Sequence, residues 1–521
     1  MELSHSQHLT KTPDFSGAPN LGSLILKGCT SLVKVHPSIG AHKKLSFLNL
    51  EGCKNLKNFS SSIHMESLQI LTFSGCSNLK KFPEVQGNME HLTELSLKGT
   101  AIKGLPLSIE YLTGLVLLNL RECKSLDSLP NSIFKLKSLK TLILSNCLRL
   151  EKLPEILENM GTLMELFLDG TAIRELPSLI GRPNGLVLLN LTNCKRLASL
   201  PESICKLTSL QTLNLSGCSQ LKKLPDDLGS LQSLLKLYAD GTAIQEVPPS
   251  ITLLPSLEVF SLSECKGGES KLRNLVFAFL SSPTEYWLGL HSLKDLNLSD
   301  CNLLEGALPS DLRFLPSLES LDLSRNNFIT MPASLSQLPR LKKLMLAYCK
   351  SLQSLPELPS SIEILYADHC TSLETFSYPS SAYKLKESGK FNFTFSNCFR
   401  LVENEHIDIM KAILLGIQHV ASVPKALDPD NYYDAIVPGS SIPKWFIHQS
   451  MGSSVTVELP PHWRNSKLMG MAVCAVVDGD HSGNVYFSWG NHRGFHFNYM
   501  QFSMESEHMW FGYRSLRGLE F

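Results

Sequence analysis

The residues best equipped for chemistry are the 14 cysteines and 16 histidines. Thiolate and imidazole are the usual zinc ligands, and a paired Cys and His make a nucleophile with its base. The spacing argues against both. Eleven cysteines (Cys29, Cys53, Cys76, Cys123, Cys147, Cys194, Cys218, Cys265, Cys301, Cys349 and Cys370) recur at intervals near 24 residues or twice that, apart from one step of 36, and no Cys-x-x-Cys pair occurs. Such intervals suit no compact zinc site. The histidines are scattered, and Met504-Glu505-Ser506-Glu507-His508 sets carboxylates beside a histidine without ligand-spaced partners, so it reads as solvated surface. No Gly-x-x-x-x-Gly-Lys-Ser/Thr phosphate loop is present. The expectation is a chain with no catalytic residues, no metal and no cofactor, hence not an enzyme.

What remains is binding. A set of aromatic and acidic residues stands where Ser, Asn or Thr would serve: Phe167 and Asp169, Tyr238 and Asp240, Tyr348, then Tyr366 with Asp368 and His369. Aromatics beside charges are the usual anchors of protein interfaces. Trp445 and Phe446 follow a Pro-Gly-Ser-Ser-Ile-Pro segment and read either as core or as contact. The cluster in the last repeats is the best patch. Lys+Arg 48 against Asp+Glu 48 gives zero formal charge, which removes the pull expected of a nucleic-acid binder.

The element that positions these residues is a repeat. Leu-x-x-Leu-x-Leu-x-x-Cys/Thr/Asn begins at Leu21, Leu45, Leu68 and Leu92, and continues through Leu257 to Leu293, Leu318, Leu341 and Ile362, 15 starts in all. Positions four and six of each unit point inward from a short strand and their neighbours point outward. The return segment, as in Leu126-Leu129-Pro130-Ile133-Leu136, buries its own apolar residues. Its proline resists a regular ladder, which predicts extended chain or short helical turns. Stacked units bury a core that one alone cannot. The expected fold is an α/β leucine-rich-repeat solenoid, a horseshoe with a parallel sheet on its concave face. Position nine, where the cysteines fall, closes the turn after the strand and suits a small buried thiol. Unpaired thiols imply a reducing compartment. Gly-Thr-Ala-Ile at Gly99, Gly170 and Gly241, 71 residues apart, marks a duplicated triplet of repeats.

Repeats are expected over 1–376, starting mid-repeat because Leu3-Ser4-His5-Ser6 fits the tail of a strand, as in a fragment or a short product of a longer design. An insertion is placed at about 266–290, a linker at 377–390 and a second domain at 391–521. That last stretch concentrates aromatics, with alternation at Ser453–Leu459, an apolar strand at Leu468–Val477 and one helix at Ile407–Val420. It predicts a β-sandwich. No signal peptide or membrane span is read, so a cytoplasmic location is expected, with the nucleus as an alternative.

The repeat form, the Gly-Thr-Ala-Ile-x-Glu-Leu/Val-Pro variant, Phe395-Ser396-Asn397-Cys398-Phe399-Arg400-Leu401 and Val437-Pro438-Gly439-Ser440-Ser441-Ile442-Pro443-Lys444-Trp445-Phe446 together resemble the plant intracellular immune receptors with an N-terminal Toll/interleukin-1 receptor domain and a central nucleotide-binding domain, the tobacco mosaic virus resistance protein N-like receptors. The last two motifs resemble that family's C-terminal jelly-roll/immunoglobulin-like domain. The resemblance implies that the repeats and this domain recognise a pathogen effector and restrain a nucleotide-binding domain in cis or in trans. The family's NAD-cleaving and nucleotide-binding parts have no counterpart in this sequence. An extracellular repeat receptor, for which Asn190-Leu191-Thr192 and Asn392-Phe393-Thr394 would be glycosylation sites, and a ubiquitin-ligase adaptor remain as alternatives.

Overall fold

A computed structural model describes residues 1–155, 161–181, 185–245, 247–265, 290–308, 310–376, 390–403, 409–422, 432–451, 470–477, 483–489, 492–499 and 506–515. The expected insertion, the bulk of the linker and the Ser453–Leu459 strand lie outside them. The chain forms two compact units, whose described parts are residues 1–265 with Leu290, and residues 291–515.

In the first unit, three-residue strands from Ser23–Ile25 to Val259–Ser261 pair successively in parallel, each with the strand of the next coil. Leu95 lies opposite Leu118, Leu118 opposite Leu142, and Leu142 opposite Leu166. All four are at most 1% exposed. The register is fixed because a one-residue slip would turn every such leucine to solvent. Returns are short 3-10 turns, such as Asn131–Lys135 and Glu202–Lys206, each entered from an extended proline, Pro130 or Pro201. Ile133 and Ile204 seal them from inside.

Position nine is a ladder of hydrogen bonds running through the coils. Cys53 Sγ donates to Leu26 O (3.1 Å), Cys76 to Leu50 O (3.1 Å) and Cys147 to Leu120 O (3.2 Å), each reaching position six of the preceding coil. In the Gly-Thr-Ala-Ile coils threonine takes the rung. Thr100, Thr171 and Thr242 donate to carbonyls of their own coils at 2.7–2.8 Å and touch Cys123, Cys194 and Cys265.

The second unit repeats the pattern with strands Asp295–Asn297, Ser320–Asp322, Lys343–Met345 and Ile364–Tyr366 in parallel. Its ladder does not stop there. Lys390–Thr394 pairs in parallel with Ile364–Tyr366, Phe393 opposite Leu365, and Cys398 Sγ donates to Ala367 O (3.0 Å) as another position-nine rung. The next strand, Tyr432–Pro438, is parallel to Lys390–Thr394 and is reached through the helix Ile409–Ser422. A parallel pair requires such a crossover. The helix buries Ile409, Ile413 and Ile417, one face at four-residue spacing. Then the direction changes: His508–Ser515 runs antiparallel to Tyr432–Pro438, and Gly470–Val477 antiparallel to His508–Ser515. Gly483–Trp489 and His492–Tyr499 form a separate antiparallel hairpin. The C-terminal part is thus a β domain whose first strand continues a repeat sheet.

Candidate protein-binding surface

The outward positions of each strand, three and five, and the strand end, seven and eight, carry the variable side chains. Much of this surface is occupied with holding the coils. Asparagine at position five accepts the position-seven N–H of its own coil, as with Asn119 and Arg121 (3.0 Å), Asn190 and Thr192 (3.0 Å), and Asn214 and Ser216 (3.0 Å). Such an Asx bond fixes the bend that ends the strand.

Of the sequence candidates, Phe167, Asp169, Tyr238 and Asp240 fall in the first unit. Phe167 lies half-buried between Ile143 and Asn190 of the adjacent strands, and Tyr238 between Asn214 and Ser261. Three strand steps, about 14 Å, separate the two rings' positions, so they do not form one anchor. The aspartates at position seven are ties between coils. Asp169 accepts from Ser145 Oγ of the preceding coil (2.7 Å) and from Asn190 Nδ2 of the next (3.3 Å). Asp240 accepts from Ser216 Oγ (3.1 Å), Ser263 N (2.9 Å), Ser263 Oγ (2.7 Å) and Ser261 Oγ.

Tyr348, Tyr366, Asp368, His369, Trp445 and Phe446 fall in the second unit. Asp368 repeats the tie: 8% exposed, it accepts from Thr394 Oγ1 (2.7 Å) and Ser396 N (2.8 Å). Tyr366 is half-buried, and burial pushes its phenol up from the ordinary range. Tyr348 and His369, at position eight of consecutive coils, stack with centroids 4.3 Å apart and planes 7° from parallel. Trp445 stacks on Phe446 (4.1 Å), and both rings lie beside the buried Phe511 at 6.3 and 6.2 Å. Half-buried themselves, they lead into the exposed Ile447.

Three residues of this region escape a sequence reading. Arg325, at position eight of the preceding coil, sets its guanidinium carbon 4.6 Å from the Tyr348 ring centroid, a cation–π contact. Asn397, at position eight of the next, holds its amide 3.3 Å from the His369 ring nitrogens. At 504–508 the exposed Ser506 and Glu507 meet the expectation of solvated surface and His508 corrects it: it is fully buried, accepts the Asn397 backbone N–H at Nε2 (2.8 Å) and sets Nδ1 at 2.6 Å from Ser506 O. The glycine pattern at position eight was the available signal for Arg325; none was available for His508.

No group of three or more His, Cys, Asp or Glu with metal-holding geometry occurs among the described residues. The cysteines are free thiols. Burial pushes Cys147, Cys205, Cys349 and Cys474 up to about 12, so they stay protonated at neutral pH. No described helix is long and apolar enough to cross a membrane.

Two family models match the chain. The family described as disease resistance protein RPS4B-like leucine-rich repeats matches residues 64–139, 135–223 and 221–397, and the C-JID domain family matches 437–519. TMV resistance protein N of Nicotiana glutinosa is 33% identical over 91% of this chain and 34% of its own length. Disease resistance-like protein DSC1 of Arabidopsis thaliana is 40% identical over 92% and 33%. A leucine-rich-repeat protein of Leptospira interrogans superposes with a TM-score of 0.43 at 24% identity, over 70% of this chain and 90% of that one. The chain spans about a third of the length of the two plant relatives. With its repeats in register along both units and the two family matches covering most of its length, the chain belongs to the RPS4B-like leucine-rich-repeat family of plant disease resistance proteins.

Proposed function

We propose that this chain is the recognition part of a plant immune receptor, binding a pathogen effector, or the nucleotide-binding domain of a receptor, without covalent chemistry. The carrying observation is the division of roles along each coil. Inward positions are closed mostly by leucine and position nine by hydrogen-bonded thiol, threonine or amide, while the outward strand positions carry side chains that the core does not dictate. A surface so supported can change its side chains without changing its backbone. Family membership supports defence as the setting, and buried unpaired thiols favour the reducing cytoplasm over an extracellular location. The continuity of Lys390–Thr394 and Cys398 with the ladder supports setting the start of the C-terminal domain after Leu401.

The test is interferometry of the purified chain against a panel of secreted pathogen proteins and against the nucleotide-binding domain of DSC1. Saturable binding to at least one is expected. A chain that binds none of them overturns the reading.

A further inference from the structure

Position eight of every coil is in the left-handed region, from Gly28 (φ 71°) through Gly99 (68°) and Asn193 (58°) to Asn397 (60°). Glycine reaches it without cost and asparagine cheaply. The first unit uses glycine at Gly28, Gly52, Gly75, Gly99, Gly170, Gly217 and Gly241, and His5, Glu122, Asn146, Asn193 and Glu264 in its other coils. The second unit has none at this position. Arg325 (59°), Tyr348 (62°) and His369 (59°) stand there in consecutive coils, followed by Asn397. Strained backbone under bulky side chains is characteristic of sites where the side chain has another task.

We propose that Arg325, Tyr348 and His369 form a docking edge for an acidic segment of a protein partner. This rests on the recognition reading above and names the chemistry of what is recognised. Stacking of the guanidinium, phenol and imidazole covers their faces against one another, and the Asn397 amide lies against the His369 ring nitrogens, which leaves the guanidinium and phenol edges, with their N–H and O–H donors, as the available contacts. Arg325 is exposed, Tyr348 is 36% exposed and His369 is half-buried. Positions eight to eleven of these coils read Arg325-Asn326-Asn327-Phe328, Tyr348-Cys349-Lys350-Ser351, His369-Cys370-Thr371-Ser372 and Asn397-Cys398-Phe399-Arg400. The strip holds three fixed cations and no carboxylate. Arg400 pairs with Glu374, whereas Lys350 is exposed. Asp300 bounds the strip one coil earlier, and Asp368 is buried with its oxygens engaged by Thr394 and Ser396. Carboxylates presented in a row complement such donors, with arginine able to take one bidentately.

The probe is a fluorescein-labelled peptide of alternating Glu and Gly, followed by anisotropy with the full chain, beside a Ser/Gly peptide and a phosphoserine/Gly peptide. Expected are binding of the Glu peptide that weakens with salt, and losses of about tenfold in Arg325→Ala and in Tyr348→Gly, the scale of an anchor residue. Tyr348→Gly keeps a residue at ease with positive φ, so loss of binding there is not loss of fold. Lys54→Ala, an exposed cation of a first-unit coil, should leave binding unchanged. Equal binding of the Glu and Ser peptides, equal affinity in wild type and Tyr348→Gly, or capture of the phosphoserine peptide alone would each overturn the proposal. A panel protein that binds wild type and Tyr348→Gly equally sinks the edge and leaves the recognition reading standing. Binding of the Glu peptide through the edge, with no panel protein bound, sustains the edge and removes the recognition reading.

Discussion

Asp240 separates two explanations of an outward carboxylate. As an interface anchor it would cost binding when removed and nothing else. As a tie between coils it would cost local stability. Asp240 receives three serine hydroxyls and one backbone N–H, with Ser216 on the coil before and Ser261 and Ser263 on the coil after. In Asp240→Ala the hydroxyls can rotate toward water, at roughly 0.5 kcal/mol each. The Ser263 N–H sits at a strand end and cannot rotate, and leaving it unpaired costs about 1 kcal/mol or more. The sum is about 2–3 kcal/mol. Asp240→Lys should cost at least as much, because it adds a cation where donors converge. Asp240→Asn retains one acceptor oxygen and should cost about 1 kcal/mol.

A repeat array opens locally, so a global melt would dilute this effect. Hydrogen exchange resolves it. For Asp240→Ala, amides of Leu213–Ser216 and Val259–Ser263 should exchange about 30- to 150-fold faster, which is 2–3 kcal/mol at 1.4 kcal/mol per tenfold. Amides of Ser23–Ile25, many coils away, should not change. Unchanged protection around Ser263, combined with lost partner binding, would refute the tie and restore Asp240 as an anchor.

Other outcomes follow from the same geometry. Leu142→Ala, in a fully buried position between Leu118 and Leu166, should destabilise the first unit by about 2–5 kcal/mol and lower its thermal midpoint; an unshifted transition would refute the spine. The native protein should react slowly with a thiol reagent and the denatured protein should show 14 thiols, whereas rapid native labelling of several would contradict their burial. Burial lowers the His419 pKa, so the unfolded chain takes up its proton first as pH falls from the ordinary His value of 6.5. Stability held at neutral pH should therefore decline on acidification, the urea midpoint at pH about 5.5 lying below that at about 7.5, and His419→Leu should shrink this difference. Asn326→Ala should cost about 4 kcal/mol, because its amide bonds Leu298 O and Leu323 O and accepts from Cys301 N and Leu303 N, whereas Arg325→Gly next to it should change stability by no more than about 1 kcal/mol. Equal losses in the two variants would contradict the separation of ladder from column.

The spine was legible because its signal is local. Each leucine of Leu-x-x-Leu-x-Leu sits within one short strand, and the interval to the next fixes the pairing of Leu95 with Leu118. The thiol ladder was legible for the same reason, up to Cys370. Cys398 escaped because 28 residues separate it from Cys370 and phenylalanines replace the leucines of Lys390–Thr394. Ties across coils were hidden by distance in sequence. The partners of Asp240 lie 21 to 24 residues away, and Asn397 meets His508 across 111. An aspartate with those partners looks, in a linear text, like one that faces solvent. The strain at Arg325, Tyr348 and His369 was legible only indirectly, through the glycines that hold position eight in other coils, since nothing in a residue's own type declares a positive φ.

That strain bears on which part of the second unit evolved for folding and which for contact. A left-handed conformation costs a non-glycine residue about 1–2 kcal/mol, or about 3–6 kcal/mol for the three coils. The cation–π contact and the ring stack together return about 1–2.5 kcal/mol. Folding alone would therefore favour glycine at these positions, as in most coils of the first unit. The second unit tolerates the deficit because Asn326, Cys349 and Cys370 tie the same coils from the inside through their bonds to Leu298, Leu323 and Leu346. Side chains that weaken their own coil, rest on rungs that compensate and reach solvent at their edges are better explained by a contact they make than by the structure they stand on.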